Sequence, residues 1–235
     1  MQQKIPLFCF PYAGGSSQIF SGWSHHLPRE INVIAMEYPG HGKLFNQPLL
    51  YSVKDLVSHL LPNIQSHAAR TPFYLFGHSL GALIAFELTR QMRKSHHPLP
   101  ARLIVSGASA PQCPDREPLS VLSDDEFITK VINKYEGFEA DIKDNQELRD
   151  LFLPILRADF IMSESYVCED EPPLDCLVTV IRGMKDSLII QEELEGWQVH
   201  STRKTQILTV PGDHFSLFRD PHHKAALLTH LAHLF

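Results

Sequence analysis

The residues with the clearest chemical potential in this 235-residue chain are Gly77-His78-Ser79-Leu80-Gly81. An apolar run, Phe73–Phe76, leads straight into them, and a helical pattern, Leu80–Lys94, leads straight out. A strand-to-helix turn that sharp holds its central residue in a strained backbone conformation and crowds the residues two places to either side. Glycine at 77 and 81 relieves the crowding and leaves the Ser79 hydroxyl exposed above the sheet. Such a serine is a nucleophile, and it needs a base, which in turn needs an orienting acid.

On a scaffold of this kind the order along the chain is serine, acid, histidine. Among the histidines after Ser79, only His214 follows a strand pattern (Thr205–Val210) through a short turn, Pro211-Gly212-Asp213. That places it at the carboxyl edge of a sheet, where ligand sites gather. Asp186 follows another strand pattern, Leu177–Ile181, through Arg182-Gly183-Met184-Lys185. Its rivals are poorly placed. Asp213 is His214's neighbour and diverges from it, Asp175 precedes a strand, and Asp159 falls in a helical segment. Donors for a tetrahedral oxyanion are expected from the Leu80 N–H and from the loop after the first strand, Pro11-Tyr12-Ala13-Gly14-Gly15-Ser16. A phosphate cradle is not indicated, because neither Gly-x-x-x-x-Gly-Lys-Ser/Thr nor Gly-x-Gly-x-x-Gly occurs.

The elements that must hold these groups alternate along the chain. Strands are expected at Ile5–Phe10, Asn32–Met36, Phe73–Phe76, Ala101–Ser106, Leu177–Ile181 and Thr205–Val210. Several are almost wholly apolar, as strands buried on both faces of a parallel sheet are. Helices are expected at Val53–Ala69, Leu80–Lys94 and His223–Leu234. Ser52 with Asp55 reads as a capping box for the first of these, and Pro62 predicts a kink or break within it. The class is α/β: a mostly parallel central sheet flanked by helices, in one domain spanning 1–235. Alternation lapses at 111–175, where Ser123 with Glu126 opens one helix and Gln146–Ser163, interrupted at Pro154, forms another. An inserted helical lid is the economical account. Leu119, Leu122, Phe127, Ile128, Val131, Leu153, Leu156, Phe160 and Met162 are its candidates for an apolar face over the site.

Composition narrows the function. A formal charge of −6 with no basic block sets nucleic-acid binding aside. No apolar stretch approaches the roughly 18 residues of a membrane span, and the start lacks the apolar core and cleavage site of a signal peptide. Cys9, Cys113, Cys168 and Cys176 are scattered with no Cys-x-x-Cys pair, so free thiols in a cytoplasmic protein are expected. Histidines are frequent, yet the adjacent pairs diverge. His230 and His233 lack a completing thiol or carboxylate, so no metal site is expected. Nothing demands an oligomer, and a monomer is the default.

The motifs, taken in order, resemble the stand-alone type II thioesterases that accompany nonribosomal peptide and polyketide synthases, nearly end to end. Phe10-Pro11-Tyr12-Ala13-Gly14-Gly15-Ser16, Tyr38-Pro39-Gly40 and Phe76 to Gly81 carry the likeness. So do Leu122 to Phe127, Leu156-Arg157-Ala158-Asp159-Phe160, Pro172 to Cys176 and Gly212-Asp213-His214-Phe215. Arginine often follows Tyr-Pro-Gly in that family, whereas His41 stands here. The resemblance implies an α/β-hydrolase fold with a helical lid, a Ser79, Asp186, His214 triad, and an oxyanion hole from the Ala13 and Leu80 backbones. It implies hydrolysis of acyl thioesters on carrier proteins, clearing stalled or wrongly loaded units. No cofactor is implied, since the phosphopantetheine arm belongs to the carrier. A chain-terminating fatty-acyl thioesterase, a general carboxylesterase and a non-catalytic module on the same scaffold are the alternatives.

Overall fold

The structure, a computed structural model, describes residues 4–68, 71–113, 117–135 and 141–235. Strands β1 (Ile5–Phe10), β2 (Ile31–Ala35), β3 (Tyr74–His78), β4 (Arg102–Ser106), β5 (Leu177–Gly183) and β6 (Gln206–Val210) form one sheet in the order β2-β1-β3-β4-β5-β6. Every pairing within it is parallel. Each strand's carboxyl end therefore leaves the sheet on the same edge, which is how residues far apart in sequence come to share a site.

The strands are apolar because both faces are covered. Successive side chains alternate between faces, so Phe8 and Phe10 of β1 enter one core while Leu7 and Cys9 enter the other. The first core is closed by α1 (Val53–Ala68) and α2 (Leu80–Lys94), through Leu56, Leu60, Ile84 and Leu88 among others. A ring cluster of Phe20, Trp23 and Phe218 on Phe76 builds the second core.

Between β4 and β5 lie α3 (Asp124–Lys134), the single turn α4 (Asp141–Asp144) and α5 (Gln146–Glu164). The stretches 114–116 and 136–140 of the expected insertion fall outside the described residues. These helices share a small core of their own, in which the Phe127 and Phe160 rings meet edge to face at 5.1 Å. Two side chains of α5 tie down the strap before α3. Glu164 accepts from the Leu119 and Ser120 N–H groups at 2.7 and 2.9 Å, and Arg157 donates to the Ser120 and Leu122 carbonyls at 2.9 and 2.7 Å.

The chain closes with α6 (Gln191–Glu195), α7 (Ser216–Arg219) and α8 (Pro221–Ala232). Helix α8 starts two residues before the expected His223, because the Asp220 carboxylate caps the His222 and His223 N–H groups and Pro221 supplies the first turn. The Ser123–Glu126 capping box forms, whereas at Ser52 the hydroxyl accepts the Asp55 N–H at 3.1 Å and donates to the Asp55 carboxylate at 2.7 Å, half of the expected box. Neither proline breaks its helix. Helix α1 runs on through Pro62 and α5 through Pro154. Proline frees the carbonyl four residues back, here those of Ser58 and Asp150, and both residues are exposed, so water can take the lost bond. The expected end of the first helix, Ala69, lies outside the described residues.

Candidate active site

Register assembles the site. Phe10 pairs with Gly77, His78 with Ser106, and Gly183 with Val210. The loops after β1, β3, β5 and β6, which carry Ala13, Ser79, Asp186 and His214, thus emerge side by side. Ser79 sits between β3 and α2 with φ 54° and ψ −119°, a strained conformation for a residue with a Cβ. It makes no side-chain cap to its helix, so the hydroxyl is not consumed at the turn. The glycines answer to close approach. A Cβ on Gly77 would overlap the Gly81 carbonyl, and one on Gly81 would overlap the Phe10 carbonyl.

Asp186 is buried after β5, where its N–H donates to the Gly183 carbonyl at 3.1 Å. Its Oδ1 accepts the Leu188 N–H at 3.1 Å, and its Oδ2 lies 2.9 Å from His214 Nδ1. A carboxylate only accepts, so Nδ1 carries the hydrogen and Nε2 presents its lone pair. That Nε2 is buried and has no hydrogen-bond partner among the described residues. Ser79 and His214 line the same cavity, but no hydrogen bond closes between Ser79 Oγ and His214 Nε2. Loose contacts of this kind are common in empty sites and tighten around a reacting carbonyl.

The other carboxylates are occupied elsewhere. Asp213 Oδ1 accepts from the Phe215 and Ser216 N–H groups at 3.1 and 2.8 Å, and Asp175 pairs with Arg203 at 3.0 Å. Asp159 faces His41 at 3.0 Å. His78, the second residue of the elbow motif, is fully buried with its ring centroid 4.7 Å from that of His214. Burial, and then the neighbouring imidazole, push its pKa well below the ordinary histidine value. It therefore stays neutral and does not oppose a positive charge on His214. Its Nδ1 lies 3.0 Å from Ser106 Oγ.

A cavity of about 600 Å³ takes in Ser79, Leu80, Ala13 and His214 together with Val131, Phe160 and Tyr166. Of the apolar residues expected to face the site from the inserted helices, Val131 and Phe160 line it. Phe127, Ile128, Leu119 and Leu156 instead fill the core shared by α3–α5, and Met162 joins the main core. Periodicity alone does not separate the two uses, since both require an apolar face. Sequence reasoning noted His41 only as standing where the resembling family often has arginine, and Asp159 only as a rejected acid within a matching motif; it did not join the two. The available signal was an acidic residue inside the apolar stripe of α5, next to Ala158 and Phe160, all three buried.

A family model described as a thioesterase domain matches residues 5–235. The gramicidin S biosynthesis protein GrsT of Aneurinibacillus migulanus is 35% identical over 216 residues, covering 92% of this chain and 84% of that protein. Among solved structures, RedJ, a thioesterase from the prodiginine biosynthetic pathway of Streptomyces coelicolor, superposes with a TM-score of 0.90 at 32% identity, covering 99% of this chain and 86% of that one. YbtT, a type II thioesterase from the yersiniabactin NRPS/PKS pathway, gives 0.86 at 30% identity, covering 98% and 92%.

Proposed function

Since this chain belongs to the thioesterase domain family and is an enzyme acting on thioester bonds, we propose that it hydrolyses acyl groups from the phosphopantetheine arm of carrier proteins, removing stalled or wrongly loaded units from a modular synthase. The observation that supports this most is the cavity shared by Ser79, Leu80, Ala13 and His214, with His214 Nδ1 held 2.9 Å from Asp186.

In the proposed reaction His214 Nε2 takes the Ser79 proton as Oγ attacks the thioester carbonyl carbon. Asp186 stabilises the imidazolium that forms. The carbonyl oxygen becomes an oxyanion facing the N–H groups of Leu80 and Ala13, neither of which donates a hydrogen bond among the described residues. Collapse breaks the C–S bond, and His214 returns its proton to the departing sulfur. A thiol of pKa about 8.5 leaves readily. Water then attacks the acyl-Ser79 ester, giving a proton to His214, and the carboxylic acid leaves as Ser79 is reprotonated. No cofactor takes part in this scheme. The helices α3–α5, within 111–175, act as a lid over the acyl group, and the protein works as a cytoplasmic monomer that meets its carriers transiently. No helix among the described residues is long and apolar enough to cross a membrane.

The test is single-turnover release of a short acyl group loaded on a carrier protein, with Ser79→Ala and the matching free acyl thioester as controls. Fast release that depends on Ser79 and prefers the carrier-bound form supports the reading. Equal or better turnover of free oxygen esters moves the protein to the general esterases. Preference for long free acyl thioesters moves it to fatty-acyl chain termination.

A further inference from the structure

Beside the candidate triad lies a second buried ionisable pair that the mechanism above does not use. His41, on the segment after β2, and Asp159, on α5, are 3% and 1% exposed. His41 Nε2 lies 3.0 Å from Asp159 Oδ2, and His41 Nδ1 lies 3.0 Å from the Pro39 carbonyl oxygen. Both neighbours are acceptors, and a neutral imidazole has only one N–H to offer. The ring satisfies both contacts only as an imidazolium. The same Asp159 Oδ2 accepts the Gly14 N–H at 2.7 Å, immediately after Ala13 in the loop that follows β1.

The segment after β2 holds that loop at two further points. The Tyr38 hydroxyl donates to the Pro11 carbonyl at 3.1 Å, and Glu37 accepts from the Ser17 N–H and hydroxyl at 2.9 and 2.8 Å. Around the His41 ring the charged and titratable groups are Asp159 from α5, with Glu37 and Tyr38 from its own segment. Burial works against charge on His41, but the hydrogen bond to Asp159, that carboxylate's charge, the Pro39 carbonyl and Glu37 outweigh it, leaving the pKa above the ordinary histidine value. Burial, then Asp159 and Glu37, push the Tyr38 phenol well up, so it remains a neutral donor.

We propose that His41 and Asp159 are positioning residues for thioester hydrolysis: the His41 imidazolium holds the Asp159 carboxylate on the Gly14 N–H, which fixes the Ala13–Gly14 peptide and with it the aim of the Ala13 N–H at the oxyanion. This rests on the proposed function and deepens it, because it couples the pose of α5 to the oxyanion site and makes that coupling titratable. Removing a proton from His41 turns a lone pair toward either Asp159 or Pro39 and leaves the carboxylate buried without its cation. The loop then loses its tether, and turnover falls at alkaline pH while substrate binding is little changed.

The experiment uses the full chain. The 15N shifts of the His41 ring report directly whether both nitrogens carry hydrogen, and they are followed from about pH 6 upward, past the ordinary histidine pKa. In parallel, kcat and KM are measured against pH for a short acyl thioester with the unaltered protein, Asp159→Asn, His41→Arg and His41→Gln. We expect a doubly protonated His41 ring near pH 7 and an alkaline loss of kcat with the same midpoint as its titration. That loss is expected to vanish in His41→Arg, which keeps a permanent cation, and in His41→Gln, which cannot titrate and serves should the larger arginine not fold. Asp159→Asn is expected to lower kcat about 10- to 100-fold with KM nearly unchanged, because a neutral amide oxygen in the place of Oδ2 holds the Gly14 N–H and the imidazolium more weakly than a carboxylate does. A neutral His41 ring near pH 7, an unchanged kcat in Asp159→Asn, or an alkaline limb that survives in both His41 variants overturns the proposal while leaving the thioesterase reading intact. Absence of thioester turnover in the unaltered protein overturns both.

Discussion

Gly77 and Gly81 approach so closely across the turn that holds Ser79 that a Cβ on the first would lie inside the carbonyl group of the second. The obstacle is backbone at the junction of β3 and α2, so it cannot swing aside as a side chain would. Gly77→Ala should cost about 3 kcal/mol by forced overpacking, a fall in Tm of roughly 6 to 12 °C for a domain of this size. It should also disturb the Ser79 hydroxyl enough to reduce turnover. A thermal melt within a degree or two of the parent would show that the turn has slack the geometry does not reveal.

Ser79 holds its φ of 54° against the preference of any residue with a Cβ, at a cost of order 1–3 kcal/mol. Ser79→Ala keeps that strain and Ser79→Gly releases it. Both variants should be inactive, yet the glycine variant should be the more stable by about 1 kcal/mol or more. Urea unfolding of the two proteins checks this. Equal midpoints would mean that the turn is not strained.

Asp186 Oδ2 fixes which His214 nitrogen carries hydrogen. An amide at this position can turn its NH2 toward Nδ1 and select the wrong tautomer. Asp186→Asn should therefore lower kcat about 10⁴-fold with the fold retained, leaving a residue of activity from the oxyanion donors. Near-full activity in this variant would remove Asp186 from the mechanism and reopen the choice of acid.

The His41–Asp159 pair should also be visible in stability. The folded protein raises the His41 pKa, so it binds the proton more tightly than the unfolded chain does. The resulting stabilisation is complete below the unfolded value near 6.5 and is lost as pH rises through the folded value. The stability of the parent relative to His41→Gln should thus decline between those two points. Parallel Tm curves for the two proteins across that window would show that His41 does not titrate with folding.

Arg90, 3% exposed on α2, joins Glu87 at 2.9 Å and Glu171, and donates to the Glu169 carbonyl at 2.8 Å. It thereby pins the chain leaving α5 to the main body. Arg90→Ala leaves Glu171 with Arg93 and Lys94 and Glu87 with the Tyr166 hydroxyl, so no carboxylate is stranded, and the lost charge-assisted bonds should cost about 2 kcal/mol. Arg90→Met, which keeps most of the packing against the Phe86 ring 5.3 Å away, should lose nearly as much if charge dominates. A methionine variant as stable as the parent would assign the role to packing instead.

Much of this protein is written locally in its sequence. The alternating apolar runs placed all six strands with ends no more than two residues from where they lie, since a parallel strand buried on both faces must be apolar throughout. Strand ends marked Ser79, Asp186 and His214, because a parallel sheet delivers all its carboxyl ends to one edge. The helices through Pro62 and Pro154 were harder to foresee. Whether a proline breaks a helix depends on whether water can reach the freed carbonyl, and that is a matter of burial.

What only the tertiary structure decided involves pairs that local pattern cannot join. His41 and Asp159 are 118 residues apart, and Asp159 and Gly14 are 145 apart. Each is unremarkable in its own window. The same holds for the inserted helices, where the sequence marks an apolar face but not whether that face meets the cavity or its own neighbours. Periodicity reports that a side chain leaves water, which is a local free-energy preference. Which partner it meets there is set by how the elements pack, and the charge state of His41 exists only once Asp159 and Pro39 have closed around it.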